Sequence, residues 1–156
     1  MIEQFPISKR NEYYYLLEFL NDNYDPDFYF VKNNTRIFIN DVKNLRELIK
    51  TSNYVYCQKE KGLYTGIILV RRSKKDLDDR YYVKLIAKDA KTAKDLLTIL
   101  TWNSTSALYA KVRLNNKFMN VFKNKGFRYF NSLGSQVIFK RDHIDYGRIM
   151  RKEGDD

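Results

Sequence analysis

The chain has 156 residues, with 29 Lys and Arg against 19 Asp and Glu, a formal charge of +10, 44% apolar and 15% aromatic residues, and a single cysteine. That is too apolar and too aromatic for a disordered chain, and the length matches one folded domain around one core. With Cys57 alone, an intrachain disulfide and a cysteine metal cluster are excluded, and the longest unbroken aliphatic run, Ile67 to Val70, is far too short to span a membrane.

These observations point to a reducing, cytoplasmic compartment. The opening residues, MIEQFPISKR, have no apolar stretch of signal-peptide length, so no leader is expected there. The positive charge favours polyanions, either nucleic acid or a phosphate-rich cofactor. It is spread along the chain, with short clusters only at Arg71 to Lys75 and Arg148 to Lys152, which equally suits a well-solvated surface. The abundance of Lys, Asn, Ile and Tyr suggests an AT-rich genome, as in many phages and some bacteria.

Ser8 is a candidate N-cap for a first helix that places Tyr13, Leu16, Leu17 and Leu20 on one face. The turn formers Asn21 to Asp27, with Pro26 among them, end it. Short strands follow at Phe28 to Val31 and Arg36 to Ile39, joined by a hairpin turn at Lys32 to Thr35. Asn40 or Asp41 caps a second helix with Val42, Leu45, Leu48 and Ile49 on its apolar side. An antiparallel meander is predicted next: Tyr54 to Lys59, Leu63 to Arg71, a charged turn SKKDLDD, and Arg80 to Ala87.

The clearest helix is Ala90 to Leu100, where Ala93, Leu96, Leu97 and Leu100 recur at helical spacing. A strand at Ala107 to Leu114, a helix at Asn115 to Lys125 stopped by Gly126, and strands at Phe127 to Phe130 and Gln136 to Lys140 complete the order. This is an α+β arrangement, a mixed and mostly antiparallel sheet of about six to seven strands flanked by about four helices. Residues 1–147 are expected to form the domain and 148–156 a charged, flexible tail.

From about Asn53 to Arg141 this order resembles the GNAT superfamily of N-acyltransferases. The segment LYAKVRLNNKFMNVFKNKGFRYF carries the likeness best, with Asn115 on the family's Asn position and Gly126-Phe127 on its closing pair. The resemblance implies that acetyl-CoA or a related acyl-CoA is the co-substrate and a primary amine the acceptor, with no metal. It implies that Leu85, Ile86 and Ala87 lie beside the pantetheine arm and that a backbone N–H near Ile86 polarises the acyl oxygen. Lys88, Lys91, Thr92, Ala93 and Lys94 would face the diphosphate at a helix N-terminus.

Two positions depart from the family's pattern. Lys91 stands where a glycine normally lets backbone approach the diphosphate, and Phe122 stands where a tyrosine protonates the departing thiolate, which a phenyl ring cannot do. Water or another phenol, for example Tyr109 or Tyr129, would have to supply that proton; Glu60 and Asp79 are possible bases but read more readily as solvated turn residues, and no base is assigned. His143 and Cys57 read as a surface residue and a packed one. The expected function is N-acyl transfer to an amine. The alternative is a GNAT-fold protein without catalysis, holding nucleic acid or a protein partner on its basic surface.

Overall fold

The computed structural model describes residues 1–75 and 78–143; the expected C-terminal tail lies outside the described residues. Helix α1 spans Arg10–Asp22 and buries Tyr13, Leu16, Phe19 and Leu20, after a short strand β1 (Ile2–Gln4). Ser8 is not its cap: Lys9 takes that place without a side-chain bond, while the Tyr13 hydroxyl ties the preceding loop by donating to the Ile7 carbonyl at 2.7 Å.

Strands β2 (Tyr29–Lys32) and β3 (Thr35–Phe38) form a separate hairpin. Asn33 and Asn34 have φ of 52° and 62°, the left-handed pair that a two-residue turn between twisted strands requires and that asparagine tolerates. In helix α2 (Val42–Lys50) the Asp41 carboxylate accepts the Asn44 N–H at 2.7 Å, as the sequence led us to expect.

Strands β4 (Tyr54–Glu60), β5 (Leu63–Lys75) and β6 (Asp78–Ala87) form the meander, followed by α3 (Ala90–Trp102), β7 (Leu108–Arg113), α4 (Met119–Asn124), β8 (Arg128–Leu133) and β9 (Gln136–Arg141). The sheet has seven strands in the order β1-β4-β5-β6-β7-β9-β8, and only the β6–β7 contact is parallel. Of the charged stretch expected as a turn, Ser73 to Lys75 and Asp78 to Asp79 are strand, since pairing continues to Lys75 opposite Asp78. Arg72 and Asp79 form an ion pair near that end.

Each face of the sheet carries its own core. Helices α3 and α4 cover one, with Val83, Leu85, Leu96, Leu97, Val112, Phe122 and Phe127 packed together. Helices α1 and α2 and the hairpin cover the other, around Leu16, Leu45, Leu48, Ile67, Leu69 and Ile86. The alternation along β6 therefore sends Val83 and Leu85 to one core and Ile86 to the other. Gly66 lets α3 sit close on β5: a Cβ there would lie 2.7 Å from Leu96 Cδ1 and 2.8 Å from Thr92 Cγ2.

Candidate functional site

The parallel contact between β6 and β7 is brief. Tyr81 pairs with Leu108 and Tyr82 with Tyr109, and beyond those two pairs the strands part. Their C-terminal ends diverge toward the start of α3 on one side and the approach to α4 on the other. Buried backbone groups need partners, so parted strands in a sheet interior imply something that fills the gap.

The direction of each β6 backbone group follows from one bond. Lys88 N donates to Thr65 O at 2.9 Å, directly across from it in the antiparallel β5–β6 register. Alternation then turns the N–H and C=O of Ile86 and Lys84 toward β5 and those of Val83, Leu85 and Ala87 toward the gap. The groups available to a ligand are thus those of Leu85 and Ala87, on either side of Ile86, whose own N–H faces β5.

A cavity of about 460 Å³ occupies this place. Its wall includes Val83, Leu85, Val112, Phe118 and Phe122 from the α3/α4 face, and Lys84, Lys111, Arg71, Phe28 and Tyr29 from the hairpin face. The void therefore reaches both sides of the sheet through the gap. Its α3/α4 side is apolar, and its hairpin side is rich in charge.

On the hairpin side Asp27 acts as a tie. Its carboxylate accepts from Arg113 Nε at 2.7 Å and from Gln136 Nε2 at 3.2 Å, pinning the loop before β2 to β7 and β9. Its carbonyl accepts from Lys84 Nζ at 3.4 Å, and that ammonium also lies 4.8 Å from the Tyr29 ring centroid. Burial, then the like charges of Lys111 and Arg71, lower the Lys84 amine to about 8.

The open end of the gap meets α3. Thr92 and Ala93 are buried at its start, while Lys88, Lys91 and Lys94 are exposed. Lys91 points into solvent and does not line the cavity. The Lys88 ammonium is paired with Glu60.

The first turn holds a residue that the sequence reading passed over. Asp89 caps α3, its carboxylate accepting the Thr92 N–H at 2.8 Å, and that bond holds its carboxyl below the usual range. One of the amides expected at the diphosphate is therefore already bonded to an anion. The signal was available, since an Asp just before a periodic helix is a standard cap.

The remaining candidates fall in different places. Asn115 is exposed, and it is Asn116 that lines the cavity while its side-chain oxygen accepts the Phe118 N–H at 2.7 Å. Phe122 is 4% exposed and meets Phe127 edge-on, so no phenol stands there. Tyr129 is 64% exposed on the edge strand, with its hydroxyl bonded to Ser132, well placed for solvent rather than for the cavity. Tyr82 is the tyrosine that does line it from β6. Cys57 is buried, with its thiol pushed up to about 12, chiefly by desolvation, and His143 is exposed beyond β9. Among the described residues no helix is long and apolar enough to cross a membrane, and no cluster of three metal-ligating side chains occurs.

No protein-family model matches the chain, and no curated protein does either. Solved structures do. A ribosomal-protein-alanine N-acetyltransferase from Brucella melitensis superposes with a TM-score of 0.68 at 13% identity, covering 91% of this chain and 99% of that one. A GNAT-family acetyltransferase from Streptococcus pneumoniae gives 0.65 at 11% identity, over 93% and 99%. A PaiA N-acetyltransferase from Thermoplasma acidophilum in complex with coenzyme A gives 0.61 at 14%, over 92% and 98%. The chain has the GNAT fold.

Proposed function

We propose that the protein is an N-acyltransferase that takes an acyl group from acetyl-CoA or a related acyl-CoA and passes it to a primary amine. The observation that carries this reading is the cavity that crosses the sheet where β6 and β7 part. Acyl transfer between two large substrates needs a thioester and an amine to meet from opposite sides, and a gap through a sheet provides that without moving either core. Similar structures that hold coenzyme A support the choice of donor.

The residues present fit such a donor along most of its length. Val83, Leu85 and Ala87 turn backbone groups into the gap, where an amide-bearing arm can bond them, and Val112, Phe118 and Phe122 provide an apolar wall. Lys88, Lys91 and Lys94 surround the start of α3 with positive charge. The fit is poorest at Asp89, whose carboxylate competes with a diphosphate for the Thr92 amide. Coenzyme A supplies an activated thioester; the chain itself contributes alignment, exclusion of water and backbone N–H groups aimed at the developing oxyanion. The amine side of the cavity is framed by Lys84, Lys111, Arg71, Asp25 and Asp27.

A thermal melt with acetyl-CoA tests the reading. At a hundredfold excess over Kd, binding adds about 2.7 kcal/mol, or roughly 5–10 °C for a chain of this size. A melting temperature unmoved by millimolar acetyl-CoA overturns it.

Asp89 and Phe122 also favour a second reading, a GNAT-fold protein that binds a polyanion without transferring acyl groups. Arg10, Lys43 and Arg46 line a shallow depression beside Tyr14 on α1 and α2, which gives that reading a surface. Salt-sensitive retention on single-stranded RNA or DNA, with no response to acetyl-CoA, is its signature.

A further inference from the structure

Lys84 is the one lysine that β6 sends beneath the hairpin, and its neighbours in sequence, Val83 and Leu85, line the same cavity from the other face. Its ammonium is poorly served. Among the described residues its hydrogen bond goes to the Asp27 carbonyl at 3.4 Å, and no carboxylate takes it up. The Asp27 carboxylate is committed to Arg113 and Gln136, and Asp25 Oδ1 accepts the Asp27 N–H at 2.9 Å.

The groups facing Lys84 are Arg71 from β5, Lys111 from β7, Asp25 and Asp27 from the loop before β2, and the Tyr29 ring. The cations outweigh the carboxylates in their effect on it, and desolvation acts in the same direction. A lysine so placed has a far larger neutral fraction near pH 8 than an ordinary lysine, and the neutral amine is the state in which nitrogen is a nucleophile.

The two carboxylates on the cavity wall already have partners: Asp27 holds Arg113 and Gln136, and Asp25 accepts the Asp27 N–H. Glu60 is not on that wall and is paired with Lys88, and Asp79 is paired with Arg72. The fraction of Lys84 that is neutral near pH 8 needs no base to make it a nucleophile.

We propose that Lys84 is itself an acyl acceptor, modified by the acyl-CoA bound in the gap. The inference rests on the acyltransferase reading and adds a modification site to it. The Lys84 nitrogen attacks the thioester carbonyl carbon, and a C–N bond forms as the C–S bond breaks. The sulfur leaves as thiolate and takes up, directly or through water, the proton that the nitrogen sheds. The products are an amide and free CoA thiol, with no oxidant or reductant involved. The amide removes a positive charge from the hairpin side of the cavity and occupies space beside Tyr29 and Lys111, so that modification reshapes the place where an external amine would bind.

The test is to incubate the full chain with acetyl-CoA and map acetylation by peptide mass spectrometry, with a parallel sample unfolded in urea. With its amine at about 8, Lys84 is about half neutral at pH 8, against roughly one part in 300 for a lysine at 10.5. We expect Lys84 to label on the order of a hundredfold faster in the folded chain than in urea, with a rate that climbs to about pH 8 and then levels. Lys84→Arg should abolish that label. Lys111→Met, which removes a like charge, should move the rise to higher pH. If acetyl-CoA raises the melting temperature but Lys84 labels no faster than in urea, the proposal is wrong and the acyltransferase reading stands. If neither the shift nor the label occurs, both fall.

Discussion

Tyr82 and Tyr109 are the last residues that β6 and β7 pair, and their rings lie 5.7 Å apart at the point where the two strands separate. Phe130 meets Tyr109 edge-on at 5.5 Å, so an aromatic group from the edge strand backs the vertex. Contact among these rings favours keeping the vertex closed, while the gap-facing backbone groups of Leu85 and Ala87 leave the other end open to a ligand. The following expectations concern the parts that hold this geometry.

Asp89 separates a stabilising role from a hindering one. Asparagine also caps helices, so Asp89→Asn should leave the melting temperature within about 2 °C of the wild type. It should tighten acyl-CoA roughly two- to fivefold by removing an anion from the first turn, worth about 0.5–1 kcal/mol. Asp89→Ala loses the bond to Thr92 as well, and should cost about 1 kcal/mol of stability. Calorimetric titration beside urea unfolding distinguishes the two variants.

Gly66 sets the distance between α3 and the sheet. Gly66→Val forces Leu96 and Thr92 aside and should destabilise the fold by about 1–3 kcal/mol, measured by urea unfolding. Because Thr92 belongs to the first turn of α3, acyl-CoA affinity should fall in the same variant.

The Glu12 carboxylate accepts from Lys59 Nζ at 2.8 Å and from the Tyr64 hydroxyl, joining α1 to the sheet. Those two bonds hold its carboxyl below 4.5. A depressed folded value means that the unfolded chain protonates first as the pH drops, so the stabilisation is complete above the unfolded value and is lost below it. The difference in melting temperature between the wild type and Glu12→Gln should be full above about pH 5.5 and shrink steadily as the pH falls through 4.5 and below.

Lys84 has the opposite slope at the alkaline end. Between about 8 and 10.5 the unfolded chain binds a proton that the folded chain does not, so the wild type gains stability with rising pH in that window. Lys84→Met should therefore be more stable than the wild type below pH 8, with an advantage that shrinks toward pH 10.5. Parallel melts at pH 7, 9 and 10.5 measure it.

How much of this was legible in the sequence depended on how local each feature is. Helices α2 and α3 and the Asn33-Asn34 turn rest on periodicity, a cap and tolerance of positive φ, all of which a short window contains. Strand β1 has three residues, too few to show a period, and exists because the β4 edge receives it. Helix α4 begins at Met119 rather than Asn115, because Asn116 holds the preceding turn through the Phe118 amide.

The gap was foreseen from the strand order that the family resemblance supplied, but its lining was only partly foreseen. Leu85, which the resemblance put beside the arm, lines the cavity from β6, whereas Asp27, Arg113 and Gln136 meet from distant parts of the chain that no local pattern links. Lys84 could be assigned to the Tyr82 and Ile86 side of β6 by alternation. What covers it is the hairpin, and that is a tertiary fact.

The most direct test of the central claim is amide hydrogen exchange along β6 with and without acetyl-CoA. If the arm lies between the parted strands, the amides of Leu85 and Ala87 should slow by at least about tenfold on binding, while those of Lys84 and Ile86, already bonded to β5, change little. Unchanged exchange at both positions, under conditions where acetyl-CoA is bound, would contradict the account.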